Sequence, residues 1–173
     1  MVSGLAKTAT WLTRLLQWFF AVILMGICSY MIHQYRDGHF VVLREVIVPE
    51  VASVLAVFIC TFSILAIFFL GYTLQMVAAF LDFVIFVLYL TSAGLLRHNY
   101  HNRSERNPLR NSLIFVRVRQ GEDAHPKTQG GLVKLLVALV VIQIFLFFFT
   151  TIMGFIVASK HPDRANRRTR HAV

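Results

Sequence analysis

The sequence predicts an all-α integral membrane fold, a four-helix transmembrane bundle, on three observations. Leu15 to Ile32, Val51 to Leu70, Leu74 to Leu96 and Leu135 to Ala158 are apolar runs; each can cross a hydrocarbon core about 30 Å thick, which takes roughly 20 residues of helix. They occupy 85 of the 173 residues, and Asp82 is the one charged residue inside them. Only Gly71, Tyr72 and Thr73 part the second run from the third, so these helices turn back on each other in a tight hairpin. A single helix through both would measure about 69 Å, too long for one crossing. With 57% hydrophobic residues, 16 of them Phe, little of the chain remains for a soluble domain.

Residues 1–14 read as a polar lead to the four-span domain at 15–158, with Trp11 and Trp18 at the membrane boundary as aromatic anchors. Lys7 and Arg14 precede the first run as in a signal peptide. That run is 18 residues long, beyond a usual signal segment, and no Ala-x-Ala type site follows, so it is expected to stay as the first span. Tyr30 and Tyr35 mark its other boundary. The connection from His33 to Glu50 holds a turn at Arg36 to Gly38 and an apolar patch at Phe40 to Leu43. Because proline suits the first helical position, the second span is expected to begin near Pro49 or Glu50.

Residues 97–134 form a basic connection. Asn107 and Pro108 read as an N-cap and a first helical position. Leu109, Leu113 and Val116 then recur at helical spacing, while Arg106, Arg110 and Arg117 share another face. This predicts a short basic helix on the membrane surface, its arginines meeting lipid headgroups. The alternation of Val116, Arg117, Val118 and Arg119 offers a strand instead. Gln120 to Gly131 reads as a loop. After the fourth span, residues 159–173 form a basic tail whose Arg164, Arg167, Arg168 and Arg170 are further candidates for headgroup contact.

The net charge of +9 lies almost wholly outside the spans. Basic residues there are drawn to anionic lipid by about 1 kcal/mol each, so membrane lipid is the expected partner and nucleic acid is not. Cys28 and Cys60 both fall within spans, where neither a disulfide framework nor a zinc site is the expected use. His98 and His101 give an H-x-x-H pair without further ligands, and no histidine lies deep in a span to hold haem. No Ser/His/Asp set, H-E-x-x-H, C-x-x-C or Gly-rich phosphate loop is present, so neither catalysis nor a cofactor is expected.

A carboxylate deep in an apolar run is costly and points to function by default, so Asp82 stands out. Gln75, Asp82 and Tyr89 repeat every seven residues, with Ala78, Ala79 and Ala93 on the same side. Similar stripes run through Arg14, Gln17, Ala21 and Cys28; through Ala52, Ala56, Cys60 and Ser63; and through Gln143, Thr150 and Gly154. Small residues let backbones approach and polar ones bond across helices, so the four stripes mark the bundle interior. Asp82 is either a proton or cation site or a buried contact to Gln17, Arg14 or Tyr89. A pair with Arg14 requires that arginine to reach inward, since about eight residues, roughly 12 Å, separate their expected depths. Glu50 shares a leaflet with Arg44, Arg97 and Lys134 and is expected to join an interfacial charge pair.

Four spans put both termini on one side. That side carries 7 Lys and Arg residues and the other 10, which leans toward external termini. Asn102 opens an N-glycosylation sequon with Ser104, in the third connection; a glycan there would fix that connection as lumenal.

Arg14 and Gln17 opening the first span, a near-contiguous second and third span, Asp82 in the third, and a fourth span followed by a polar tail resemble MARVEL-domain proteins, especially fungal ones, over Leu12 to Ala158. The resemblance implies an M-shaped four-helix bundle with cytoplasmic termini. It also implies a role in membrane apposition, vesicle trafficking or lateral organisation, at the plasma membrane or on endomembrane vesicles. The third connection departs from the family in lacking the cysteine pair often seen in relatives, and its positive charge suits an extracytoplasmic face poorly. The paired cysteines and Trp of claudin-type loops and the Cys-Cys-Gly of tetraspanins are absent.

The expected function is non-enzymatic membrane organisation or vesicle trafficking, through lateral association with like chains or other membrane proteins and basic contacts with anionic lipid. Two other classes compete: a small transporter or channel subunit that depends on Asp82, and an accessory subunit that offers its Phe-rich surface to a larger complex.

Overall fold

The structure, a computed structural model, describes residues 2–69, 72–100, 106–121 and 126–159, with side chains at 10–64, 77–100, 106–121 and 126–156. Five helices follow in order: α1 (Val2–Asp37), α2 (Arg44–Phe69), α3 (Tyr72–Leu95), α4 (Pro108–Arg119) and α5 (Pro126–Ser159), with a 3-10 turn at Leu96–Asn99 after α3. No strand occurs among the described residues. The 36 residues of α1 and 34 of α5 span about 54 and 51 Å. Both therefore project beyond a hydrocarbon core of about 30 Å. The windows long and apolar enough to cross are Thr10–Asp37, Arg44–Ile64, Val77–Asn99 and Pro126–Ile156.

Two helix starts differ from expectation: Pro49 suggested a first helical position but lies inside α2, and hydropathy does not register the polar opening turns of α5. The second span was expected from Pro49 or Glu50, but α2 starts at Arg44, where the Leu43 carbonyl accepts the N–H groups of Val46 and Ile47 at 3.0 and 3.2 Å. Pro49 therefore lies inside the helix, where its missing N–H leaves the Glu45 carbonyl without its ladder bond. At the far end of the chain, Pro126 opens α5 as Pro108 opens α4, so the expected loop through Gly131 is helical from Pro126 onward.

The four long helices form a square. α1 packs on α2 and α5, and α3 packs on the same two, which leaves α1 facing α3 and α2 facing α5 across the diagonals. Lipid is as apolar as the core, so close fit and internal polar bonds, more than apolar burial, hold such a bundle. Ala21, Cys28, Ala52, Ala56, Cys60 and Tyr89 are fully buried, while Phe58, Phe62, Phe80 and Phe145 point outward. At Gly154 an added Cβ would stand 2.7 Å from Ala79 Cβ, which marks a close approach of α5 to α3.

The basic connection forms a helix and not a strand. Leu109, Leu113 and Val116 are buried, so the stripe expected on lipid instead seats α4 on α1, α5 and the 3-10 turn. Asn107 caps by position only, with no side-chain bond to the helix. The Leu109 N–H is met by Asn99 Oδ1 at 3.0 Å. Gly38 admits the chain beneath α4, since a Cβ there would meet Phe40 at 2.8 Å and Val116 at 2.9 Å.

Candidate functional site

A polar node lies inside the bundle. Arg14 and Gln17 are three residues apart on α1 and therefore share a face, the one that continues through Ala21, Leu24 and Cys28 into the core. Opposite them on α3 is Asp82, fully buried. The Arg14 guanidinium closes on it as a fork: Nη1 donates to Oδ1 and Nη2 to Oδ2, each at 2.5 Å. This two-point geometry matches planar guanidinium to planar carboxylate.

Gln17 joins the remaining helices to this pair. Its Oε1 accepts from Arg14 Nη1 at 3.3 Å and lies 4.0 Å from the Cys60 Sγ of α2. Its Nε2 donates to Thr150 Oγ1 of α5 at 3.0 Å, and that hydroxyl donates to the Phe147 carbonyl at 3.2 Å. Gln143 Nε2, also on α5, donates to the Gln17 carbonyl at 2.9 Å. All four spanning helices thus meet at one cluster of side chains. A second, thinner layer joins α3 to α2, where Tyr89 donates to Ser53 at 3.5 Å and Ser53 donates to the Pro49 carbonyl at 2.6 Å.

Arg14, Gln17, Asp82 and Gln143, scattered in sequence, come together here. The expected depth gap of about 12 Å between Arg14 and Asp82 does not hold. The apolar run starts at Leu15, but the helix starts at Val2 and the crossing window at Thr10, so Arg14 lies within the bundle and not at its rim. The heptad running backward from Cys28 through Ala21 to Arg14, with Gln17 on the same face, was the sequence signal for this.

Glu50 does not form the expected interfacial charge pair with Arg44, Arg97 or Lys134. With α2 starting at Arg44, Glu50 falls in its second turn facing α1, where Oε1 accepts from Ser29 Oγ at 2.6 Å; Lys134 is exposed on α5. Arg106 is exposed, and Arg110 donates to the Pro126 carbonyl at 3.2 Å. Arg117 turns back onto the protein, donating to Tyr30 OH at 3.2 Å. Asn102, Arg164, Arg167, Arg168 and Arg170 lie outside the described residues. Sequence reasoning missed the partnership of Ser29 with Glu50 and the bond from Trp18 Nε1 to Thr61 Oγ1 at 3.1 Å, because isolated Ser and Thr residues in apolar runs carry no periodic signal.

In chemical terms the node is a fastening. The cation and the anion each have their counter-charge in contact, and Gln17 takes a further bond from the guanidinium while linking to Thr150. Among the described residues no three His, Cys, Asp or Glu side chains converge to hold a metal.

A family model described as a membrane-associating domain, MARVEL, matches residues 6–153. No curated protein and no solved structure matches the chain.

Proposed function

The chain belongs to the MARVEL family, and on that premise we propose that it is a non-enzymatic organiser of membranes, working by lateral association and basic contacts with lipid. The family's domain is a membrane-associating one found in membrane-organising and trafficking proteins, and it is not a known enzyme family. The chain is a multi-pass membrane protein; its place in this reading is the plasma membrane or endomembrane vesicles.

One observation carries the reading: the single charge inside the apolar runs is spent on Arg14 within the bundle. A proton or cation site needs a carboxylate that can exchange its partner during a cycle, whereas a fork of two charge-assisted bonds holds Asp82 in one arrangement. The outward Phe residues, Phe58, Phe62, Phe80 and Phe145 among them, then supply a rigid apolar surface for neighbours in the plane of the membrane.

The test is reconstitution of the full chain in liposomes. Donor- and acceptor-labelled copies should show energy transfer that rises with protein-to-lipid ratio, while a pH-sensitive dye inside the vesicles reports no flux. Proton or cation flux that Asp82→Asn abolishes, with expression intact, would replace this reading with the transporter one.

A further inference from the structure

We propose that the cleft between α1 and α4 is a headgroup site for one phospholipid, selecting headgroups that carry N–H or O–H donors beside the phosphate. The open cleft holds about 420 Å³ and is lined by Tyr30, His33, Gln34 and Asp37 of α1, by Arg117 of α4 and by Gln120, which caps the end of α4. The four α1 residues follow the i, i+3, i+4, i+7 spacing of one helix face. Every lining side chain can form hydrogen bonds, whereas the exposed large apolar side chains of the bundle are chiefly Phe, Val and Leu.

The cleft lies at headgroup depth. Tyr30 sits near the end of the first crossing window, where amphipathic rings settle at the boundary. Arg117 reaches that same hydroxyl from α4. One turn further into the membrane on the same stripe is Gly26, exposed and with nothing within 4 Å of an added Cβ. That bare stretch of α1 leaves room for the first carbons of an acyl chain.

The bonding pattern sets the selectivity. Tyr30 OH accepts from Gln34 Nε2 at 2.8 Å and from Arg117 Nη2 at 3.2 Å, so its own proton is left to donate. With the guanidinium beside it, this end of the cleft suits a phosphate oxygen. The other end accepts. Gln34 is 6% exposed and its Oε1 is buried with no partner, while the Asp37 carboxylate holds His33 at 3.3 Å and opens to the outside. An ethanolamine, serine or inositol headgroup brings donors to those acceptors; the quaternary choline group brings none.

This site refines the lipid contact of the reading above, and the two fail separately. Purified full-length chain in mild detergent is offered equimolar phosphatidylethanolamine and phosphatidylcholine, and the retained lipid is counted by native mass spectrometry. We expect about a tenfold preference for the ethanolamine lipid. Asp37→Asn, at an exposed position, should cut that preference severalfold, Gly26→Phe should reduce retention of either lipid, and Lys127→Gln should change nothing. Equal retention of both lipids, or a preference untouched by Asp37→Asn, would overturn the site even if salt-sensitive attraction to anionic vesicles persisted. Displacement of the lipid by soluble glycerophosphoethanolamine at equal concentration would also overturn it, by showing that a free phosphate compound suffices.

Discussion

Arg14 and Asp82 meet across a diagonal of the bundle, from helices that do not pack on each other directly. A long side chain is what makes this feasible, since Arg14 crosses the interior while Ala21 and Ala56 leave the neighbouring interfaces narrow. Removing water from two charges is costly, and the pair repays this only when geometry and surrounding bonds are good. The fork, Gln17 and Thr150 supply those conditions. If the pair fixes which helix faces which, both charges must be needed together for the bundle's stability.

Gln17 and Gln143 should differ sharply on substitution. Gln17→Leu removes bonds to Arg14 and Thr150 at once and should destabilise the bundle by about 1–3 kcal/mol. Gln143→Leu loses one bond to a carbonyl but also removes an Oε1 that is buried without a partner, so its effect should stay within about 1 kcal/mol. Denaturant titration in mixed detergent micelles, followed by helical circular dichroism, ranks the two.

Gly154→Leu should separate α5 from α3. Its added Cβ alone would stand 2.7 Å from Ala79, and overpacking of this kind costs about 1–3 kcal/mol or more. Gly94, by contrast, has open space around it, so Gly94→Ala should be neutral or gain up to about 1 kcal/mol of helix propensity. Thermal unfolding of both variants in one detergent makes the comparison.

The seat of α4 is tested by opposite faces of one helix. Leu113 is fully buried and Phe115 is more than half exposed. Leu113→Ala should cost about 2–5 kcal/mol locally and speed amide exchange through residues 108–119, whereas Phe115→Ala should leave that exchange unchanged. Exchange mass spectrometry reads both.

Much of this was legible in the sequence because a membrane simplifies the problem. Length and apolarity alone define a crossing, and the recurrence of Arg14, Ala21 and Cys28 every seven residues, with Gln17 on the same face, marks the inward side of the first span. Helix ends were less legible. Pro49 reads as a first helical position although α2 opens earlier, at Arg44, and the extra turns of α5 after Pro126 are polar, so hydropathy stops short of them. That same shortfall misplaced Arg14 at the rim. The seat of α4 was hidden for another reason: an apolar stripe on a basic helix fits lipid and protein equally, and only the three-dimensional position of the α1 and α5 extensions decides between them. Glu50 finding Ser29 depended on the early start of α2.

The most direct test of the account is a double-mutant cycle on Arg14 and Asp82, measured as unfolding free energy in mixed micelles. Arg14→Ala and Asp82→Ala should each cost about 3–5 kcal/mol, because each strands an unpaired charge in the interior. The double variant should cost about 2 kcal/mol less than their sum. Single costs below about 1 kcal/mol, or costs that simply add, would contradict the claim that this pair holds the four helices in register.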